Sequence, residues 1–458
     1  MSELAYKRTN VYEKADEKLM RDIFDYAEGY KVFLDAGKTE REACAWAKKA
    51  AEDKGYKAYK FGDKLKAGDK IYYDNRGKNL YLIKVGSANI AEDGIRIIAA
   101  HIDSPRIDLK QVPLYESDNI AFAKTHYYGG IRKYQWAAIP LAMHGAIALA
   151  DGSVVEVKIG EDAGEPVFYI SDLLPHLAAK QNAKPLGEGL GGEDLNIWLG
   201  NIPYTAAKDD KDKTVKENLL KILNEKYGIK EEDFLSAELC VVPAYKATDV
   251  GFDRALIGAY GHDDRVCAYP AFTALFEEEK SEHTVMVVLA DKEEIGSEGT
   301  TGMQCALFTD LIDALADSFG VPSAAVRANS KCLSADVNAA FDPNFKEVSE
   351  PLNSAYISCG AGITKFTGAR GKSGSNDADA EFMGFLRKTF KENNVIWQTG
   401  EMGRVDVGGG GTVAKYVAKA NIDTIDLGVP VISMHSPFEL VSKADVYQAY
   451  LACRAFIK

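Results

Sequence analysis

The chain has 458 residues, with 55 basic and 68 acidic side chains and a formal net charge of −13. Apolar residues make up 46% and charged residues 27%, a balance that excludes a disordered or fibrous chain and provides for a sizeable core. The acidic excess argues against general affinity for nucleic acid or anionic membranes, and the length fits about two to four domains or one large domain with an insertion.

Residues 11–36 carry apolar side chains at helical spacing between charges, which predicts a helix. Residues 39–54 repeat the pattern behind Thr39-Glu40-Arg41-Glu42, a capping-box sequence. Period-two patterns predict strands at 70–73 and 80–85, and the run GIRIIAA at 94–100 predicts a strand ending at His101. Residues 120–157 are rich in Tyr, Trp, Gly and β-branched side chains, with a turn at Asp151-Gly152 and no long helical pattern. Gly-rich and Lys/Asp-rich loops follow over 160–212. Short apolar runs at 285–290 (VMVVLA), 324–326 and 430–434 predict further strands, between helical patterns at 268–278, 309–318, 377–393 and 412–420. This alternation predicts an α/β catalytic domain over residues 1–113 plus 241–458, with a largely buried sheet, interrupted by a β-rich insertion at 114–240.

The longest apolar stretch, 136–150, contains Pro140, His144 and Gly145 and falls short of the roughly 20 residues a bilayer span needs. The N-terminal sequence MSELAYKRTN lacks the basic start and apolar run of a secretory signal. Seven scattered cysteines without a C-x-x-C pair fit reduced thiols in a cytoplasmic protein.

Five polar clusters stand out: His101-Ile102-Asp103, Asp263-Asp264-Arg265, Asp291-Lys292-Glu293-Glu294, Ser334-Ala335-Asp336 and Ser433-Met434-His435-Ser436. The first, third and fifth follow apolar runs, and ligands of open α/β sheets collect outside the carboxyl ends of strands. Two histidines with several carboxylates and no cysteine favour a borderline divalent metal such as zinc, manganese or cobalt. Two such ions need a bridging carboxylate with further ligands on each side, and His101, Asp263, Glu294, Asp336 and His435 form a set of that kind. Glu293 could then stay unligated and take a proton from water, and Asp103 could accept the second N–H of the His101 ring. Each residue alone also has a structural reading: Asp263 as a helix N-cap, Glu293 and Glu294 as a solvated turn, Asp336 as a loop cap.

The words around these residues add a resemblance. HIDSP at 101–105, DKEEIGS at 291–297, SAD at 334–336 and SMHS at 433–436 occur in the order found in the aspartyl aminopeptidase / vacuolar aminopeptidase I family of dinuclear zinc exopeptidases, which the chain resembles from about residue 75 to its end. Within that family HYYGGIRKYQW at 126–136, SADVNAAFDPNF at 334–345 and DVGGGGTVAK at 406–415 are similar to the bacterial aminopeptidase I branch. The resemblance implies two divalent ions per subunit, zinc first with manganese or cobalt as alternatives. It implies that His101 and Asp336 ligate one ion, Glu294 and His435 the other, and Asp263 bridges. Glu293 would be the general base, Asp103 would orient His101, and Lys365 would lie near substrate. The run 408–411 lacks a phosphate-loop fingerprint, so Gly409 and Gly410 read better as backbone approached by a peptide, with close packing as the alternative. The implied fold is a phosphopeptidase-like, zinc-exopeptidase-like catalytic domain with the 114–240 insertion used in dimerisation. The implied assembly is a homo-oligomer, dimers forming a tetrahedral dodecamer, acting on peptides and not on nucleic acid or membrane. The aspartyl branch typically has His where this chain has Asn338, near Asp342 and within 132–136; those departures leave the preferred N-terminal residue open. Two rival readings remain at this point: another metal-dependent amide hydrolase such as a deacylase, and an assembly or cargo protein with little turnover.

Overall fold

The computed structural model describes residues 4–206, 209, 213–278 and 281–458. Residues 207, 208 and 210–212 of the Lys/Asp-rich loop lie outside the described residues. By internal contacts the chain forms two compact units, one of residues 1–104, 247–434 and 439–458, the other of residues 105–246 and 435–438.

The first unit is α/β. Its nine-stranded sheet runs in the order Lys57–Ala58, Lys70–Asn75, Asn79–Lys84, Thr284–Ala290, Ile95–His101, Lys331–Ala335, Asp423–Gly428, Ala361–Thr364, Trp397–Thr399. The four strands Thr284–Ala290, Ile95–His101, Lys331–Ala335 and Asp423–Gly428 are mutually parallel. Strands buried on both faces read as unbroken apolar runs, as GIRIIAA and VMVVLA do. The strand period of two divides them: Ile98, Ala100, Val287 and Leu289 enter one core, while Ile97, Ala99, Met286 and Val288 enter the other. Fully burying each of the Ile, Val, Leu and Met side chains among them contributes about 1.5–3 kcal/mol. A five-stranded sheet, in the order Thr248–Val250, Leu256–Ala259, Glu439–Ser442, Pro430–Ile432, Asn338–Ala339, completes the strands of interest.

Local signals explain several element ends. The Thr39 side chain caps Glu40–Asp53 and Glu42 reaches back to its backbone, the capping box read from the sequence. The first helix starts at Glu17 rather than at residue 11, because Asp16 caps it and Val11 donates its N–H to the Ser358 carbonyl. Residues 324–326 are not a strand. They lie in the helix Ser323–Asn329, which starts behind Pro322, and the strand falls at Lys331–Ala335 instead. A three-residue apolar run has no period, so length and flanking residues decide it.

The second unit is β-rich, with seven antiparallel strands in the order Val154–Ile159, Leu141–Ala148, Ala237–Pro243, Arg106–Ser117, Ile120–Tyr128, Ile197–Gly200, Tyr169–Ile170. It also holds the helix Val215–Tyr227, capped by Thr214 and closed by a left-handed Gly228. No described helix is long and apolar enough to cross a membrane.

Candidate active site

Three of the polar clusters meet at the carboxyl edge of the parallel strands. His101 ends its strand, Asp291 follows Ala290 on the neighbouring strand, and Asp336 follows Ala335 on the other side. The edge is thus built from the first, third and fourth clusters rather than the first, third and fifth. Pro430–Ile432, the strand before Ser433-Met434-His435-Ser436, belongs to the five-stranded sheet. The second cluster arrives on the helix His262–Glu277, whose first turn is non-helical at Asp263 and Asp264. Their shared peptide is cis.

His101 is the hub, buried to 2% exposure. Its Nδ1 lies 3.1 Å from the Asp103 carbonyl and 3.2 Å from Asp103 Oδ1. Its Nε2 lies 3.2 Å from Asp263 Oδ1 and 3.7 Å from Asp336 Oδ1. Burial opposes the charged imidazole, but Asp103, Asp263 and Asp336 outweigh it and hold His101 well above the usual histidine range. The backbone N–H of His101 donates to Asp264 Oδ2 at 3.2 Å.

Asp103 does more than face His101. Its Oδ1 accepts the Glu293 N–H at 3.1 Å and its Oδ2 accepts the Glu294 N–H at 3.2 Å. The fully buried Asp103 therefore anchors the short turn Glu293–Ile295, entered through a left-handed Lys292 and left through a left-handed Gly296. Burial, together with Asp336, Asp103 and Asp263, pushes Glu293 up to about 8, against the pull of His101. Burial also raises Asp336, takes Asp264 well above the carboxylate range and lifts Asp291 to about 6. Thr301 donates to Asp291 at 2.5 Å.

Two further carboxylates shape the site. Asp264 is fully buried and groups with Asp263 and Asp336. It was visible as the second member of Asp263-Asp264-Arg265. Glu439 had no such signal. Buried on the strand Glu439–Ser442, it accepts the Asp263 N–H at 3.1 Å. Arg265, buried throughout, fixes the start of the helix by donating to the Lys38 and Ile102 carbonyls at 2.9 and 3.3 Å. A side chain at Gly261 would place its Cβ 1.8 Å from Arg265 Nη1, which accounts for glycine there. His262 is set in place by Tyr30 Oη at 2.8 Å and the Ile257 carbonyl at 3.1 Å, and burial lowers it to about 3, so it stays neutral.

The remaining predicted residues lie as follows. His435 belongs to the second unit, and its Nδ1–H donates to the Gly130 carbonyl at 2.8 Å, a contact that fixes the tautomer of the ring. Lys365 pairs with Asp377 at 2.8 Å. Gly409 and Gly410 pair antiparallel with Ala369 and Gly368, and a Cβ on Gly409 would fall 2.4 Å from the Gly368 carbonyl oxygen. Close packing alone therefore requires glycine at 409.

The donor set can be tested against a cation. His101, Asp263 and Glu294 bring ligand atoms within 4.8 Å of one another, as do His101, Glu293 and Asp336, and Asp263, Asp264 and Asp336. All donors are imidazole nitrogen or carboxylate oxygen, the set suited to zinc, manganese or cobalt. Burial first, and neighbouring carboxylates after it, raise Glu293, Asp264 and Asp336, and divalent cations would offset both by favouring the charged forms. The residues present fit metal.

The comparisons with known proteins agree. The family model for the aminopeptidase I zinc metalloprotease family, M18, matches residues 33–457. The chain belongs to the M18 aminopeptidase I zinc metalloprotease family. It is 46% identical to a Clostridium acetobutylicum protein named Probable M18 family aminopeptidase 1, covering 100% of this chain and 99% of that one. The crystal structure of the M18 aminopeptidase of Thermotoga maritima superposes with a TM-score of 0.93 at 41% identity, covering 99% of this chain and 100% of that chain. That of aminopeptidase I from Clostridium acetobutylicum also gives 0.93, at 43% identity and the same coverage. By family this M18 member is a metal-dependent aminopeptidase, a hydrolase.

Proposed function

We propose that this M18 protein removes the N-terminal residue from peptides at a site for two divalent cations, zinc first, with Glu293 as general base. The observation that carries the reading is that Asp263 falls into two overlapping donor groups, with His101 and Glu294 on one side and Asp264 and Asp336 on the other. That overlap supports Asp263 as the bridge; the division of the other ligands, His101 and Asp336 on one ion and Glu294 on the other, rests on the family resemblance. For His435 the support is the family resemblance. Bound divalent cations would polarise the scissile carbonyl and acidify water.

The protein's own groups then do the following. Glu293 takes the proton of the attacking water and delivers it to the leaving amine, a task suited to a carboxylate whose affinity for protons is raised. Asp103 fixes the ring of His101 and the backbone of Glu293 and Glu294 together, so the base and two ligands share one anchor. Lys365 and the backbone at Gly409 and Gly410 border the substrate.

The rest of the reading concerns setting. The solved S. cerevisiae mApe1, at 22% identity, is a dodecamer, in keeping with a homo-oligomer here; dimers assembling into a tetrahedral dodecamer, with the β-rich unit dimerising, rest on the family resemblance. Seven free cysteines fit a reducing cytoplasm.

A panel of peptides with free and acylated N-termini, assayed with zinc, manganese and cobalt added to metal-stripped protein, tests the reaction. Cleavage of free-amine peptides one residue at a time is expected. Preference for blocked N-termini would overturn the aminopeptidase reading in favour of a deacylase.

A further inference from the structure

We propose that Tyr416 is a positioning residue for hydrolysis, clamping the far end of the turn that carries Glu293 and Glu294. The inference rests on the reading of Glu293 as the base. The turn Glu293–Ile295 is a single turn of 3₁₀-helix, too short to fix its own geometry, so its end anchors decide where the two carboxylates point. Asp103 holds the leading end through the Glu293 and Glu294 amides. At the trailing end, Gly296 donates its N–H to the Glu293 carbonyl at 2.9 Å, and its own carbonyl accepts two side-chain donors. Gln304 Nε2 donates to it at 2.9 Å and the Tyr416 hydroxyl at 3.1 Å.

Tyr416 comes from a part of the chain with its own tie to the site. It lies on the helix Ala414–Lys419, half-buried, its ring packed against the core that includes Val413 and Val417. Just before that helix, Thr412 donates to Asp426 Oδ1 at 2.6 Å, and Asp426 is buried in the strand Asp423–Gly428. Thr412 directly follows the glycine run 408–411. The short helix Ala414–Lys419 therefore links that run to the turn bearing the base, and the Tyr416 hydroxyl is the contact that closes the link. A misplacement of about 1 Å at a catalytic group can reduce rate 100-fold, so a clamp here acts on turnover rather than on substrate affinity.

The test uses the full-length, metal-loaded protein with Tyr416→Phe, which keeps the ring and removes the hydroxyl. The expected result is a loss of about three- to tenfold in kcat, the scale of one hydrogen bond, with KM within about twofold. In metal-free protein, hydrogen exchange at the amides of residues 293–297 should quicken while the thermal midpoint holds. Combining the change with Gln304→Ala should add to both effects. Unchanged kcat with unchanged exchange would overturn the proposal. So would a fall in kcat that follows a fall in thermal midpoint without faster exchange at 293–297. Glu293→Gln, run alongside, separates the two readings. If it keeps wild-type turnover, the base assignment fails, while the exchange data still judge the clamp.

Discussion

Asp103→Asn keeps the shape of the side chain and changes one oxygen to an NH₂ group. In the wild type both carboxylate oxygens accept backbone N–H groups, from Glu293 at 3.1 Å and Glu294 at 3.2 Å, and Oδ1 also lies 3.2 Å from His101 Nδ1. An amide offers one acceptor oxygen, so in either orientation its NH₂ faces an N–H donor. One buried donor left unsatisfied costs about 1–3 kcal/mol. Against a typical total of about 5–15 kcal/mol, that loss is measurable by urea unfolding of metal-free protein. Second partners of metal-bound histidines are worth about 10- to 100-fold in metal affinity, so competition with a chromogenic chelator should show a loss of that size. Unfolding within about 0.5 kcal/mol of wild type, with unchanged metal affinity, would refute the view that Asp103 holds the turn and the imidazole together.

The other expectations concern charge, pH and packing. Asp249→Asn removes the partner of Lys31, Lys443 and Arg254, which outweigh burial and hold Asp249 well below the carboxylate range; with Lys443 buried, urea unfolding should show a loss of about 3–5 kcal/mol. The depressed carboxylate stabilises above its unfolded pKa of about 3.9, so this contribution should fade as pH falls below that value. Glu293 is displaced the other way, from 4.5 to about 8, so its contribution is whole below about pH 4.5 and is lost as pH rises to about 8. Metal-free wild type should therefore lose stability across that range more steeply than metal-free Glu293→Gln, and parallel pH profiles would contradict the assignment. Gly428→Ala would place a Cβ 1.7 Å from the Asp336 carbonyl oxygen, so it should weaken metal binding by displacing Asp336, as read by chelator competition.

What the sequence made legible follows from how each feature is encoded. The strands ending at His101 and Ala290 announce themselves because burial on both faces leaves an unbroken apolar run. The capping box at Thr39 and Glu42 is local and reads directly. The run at 324–326 was misread because three apolar residues carry no period, and the flanking Pro322 favoured a helix start. The site shows the same division. His101, Asp263, Glu293, Glu294 and Asp336 follow or open recognisable elements, and the structure brings them within reach of one another. Glu439 could not be found that way, since its contact with the Asp263 amide joins residues 176 apart on different elements. The double role of Asp103 was equally hidden, because hydrogen bonds to backbone amides leave no mark in residue type.

The central claim is that Glu293 moves the proton at a metal site held by its neighbours. The most direct measurement is the steady-state rate of peptide cleavage by Glu293→Gln, reconstituted with metal and checked for wild-type metal content. Loss of general acid–base catalysis should lower kcat by about 10²- to 10⁴-fold with metal retained. Turnover near that of the wild type, at full metal content, would contradict it.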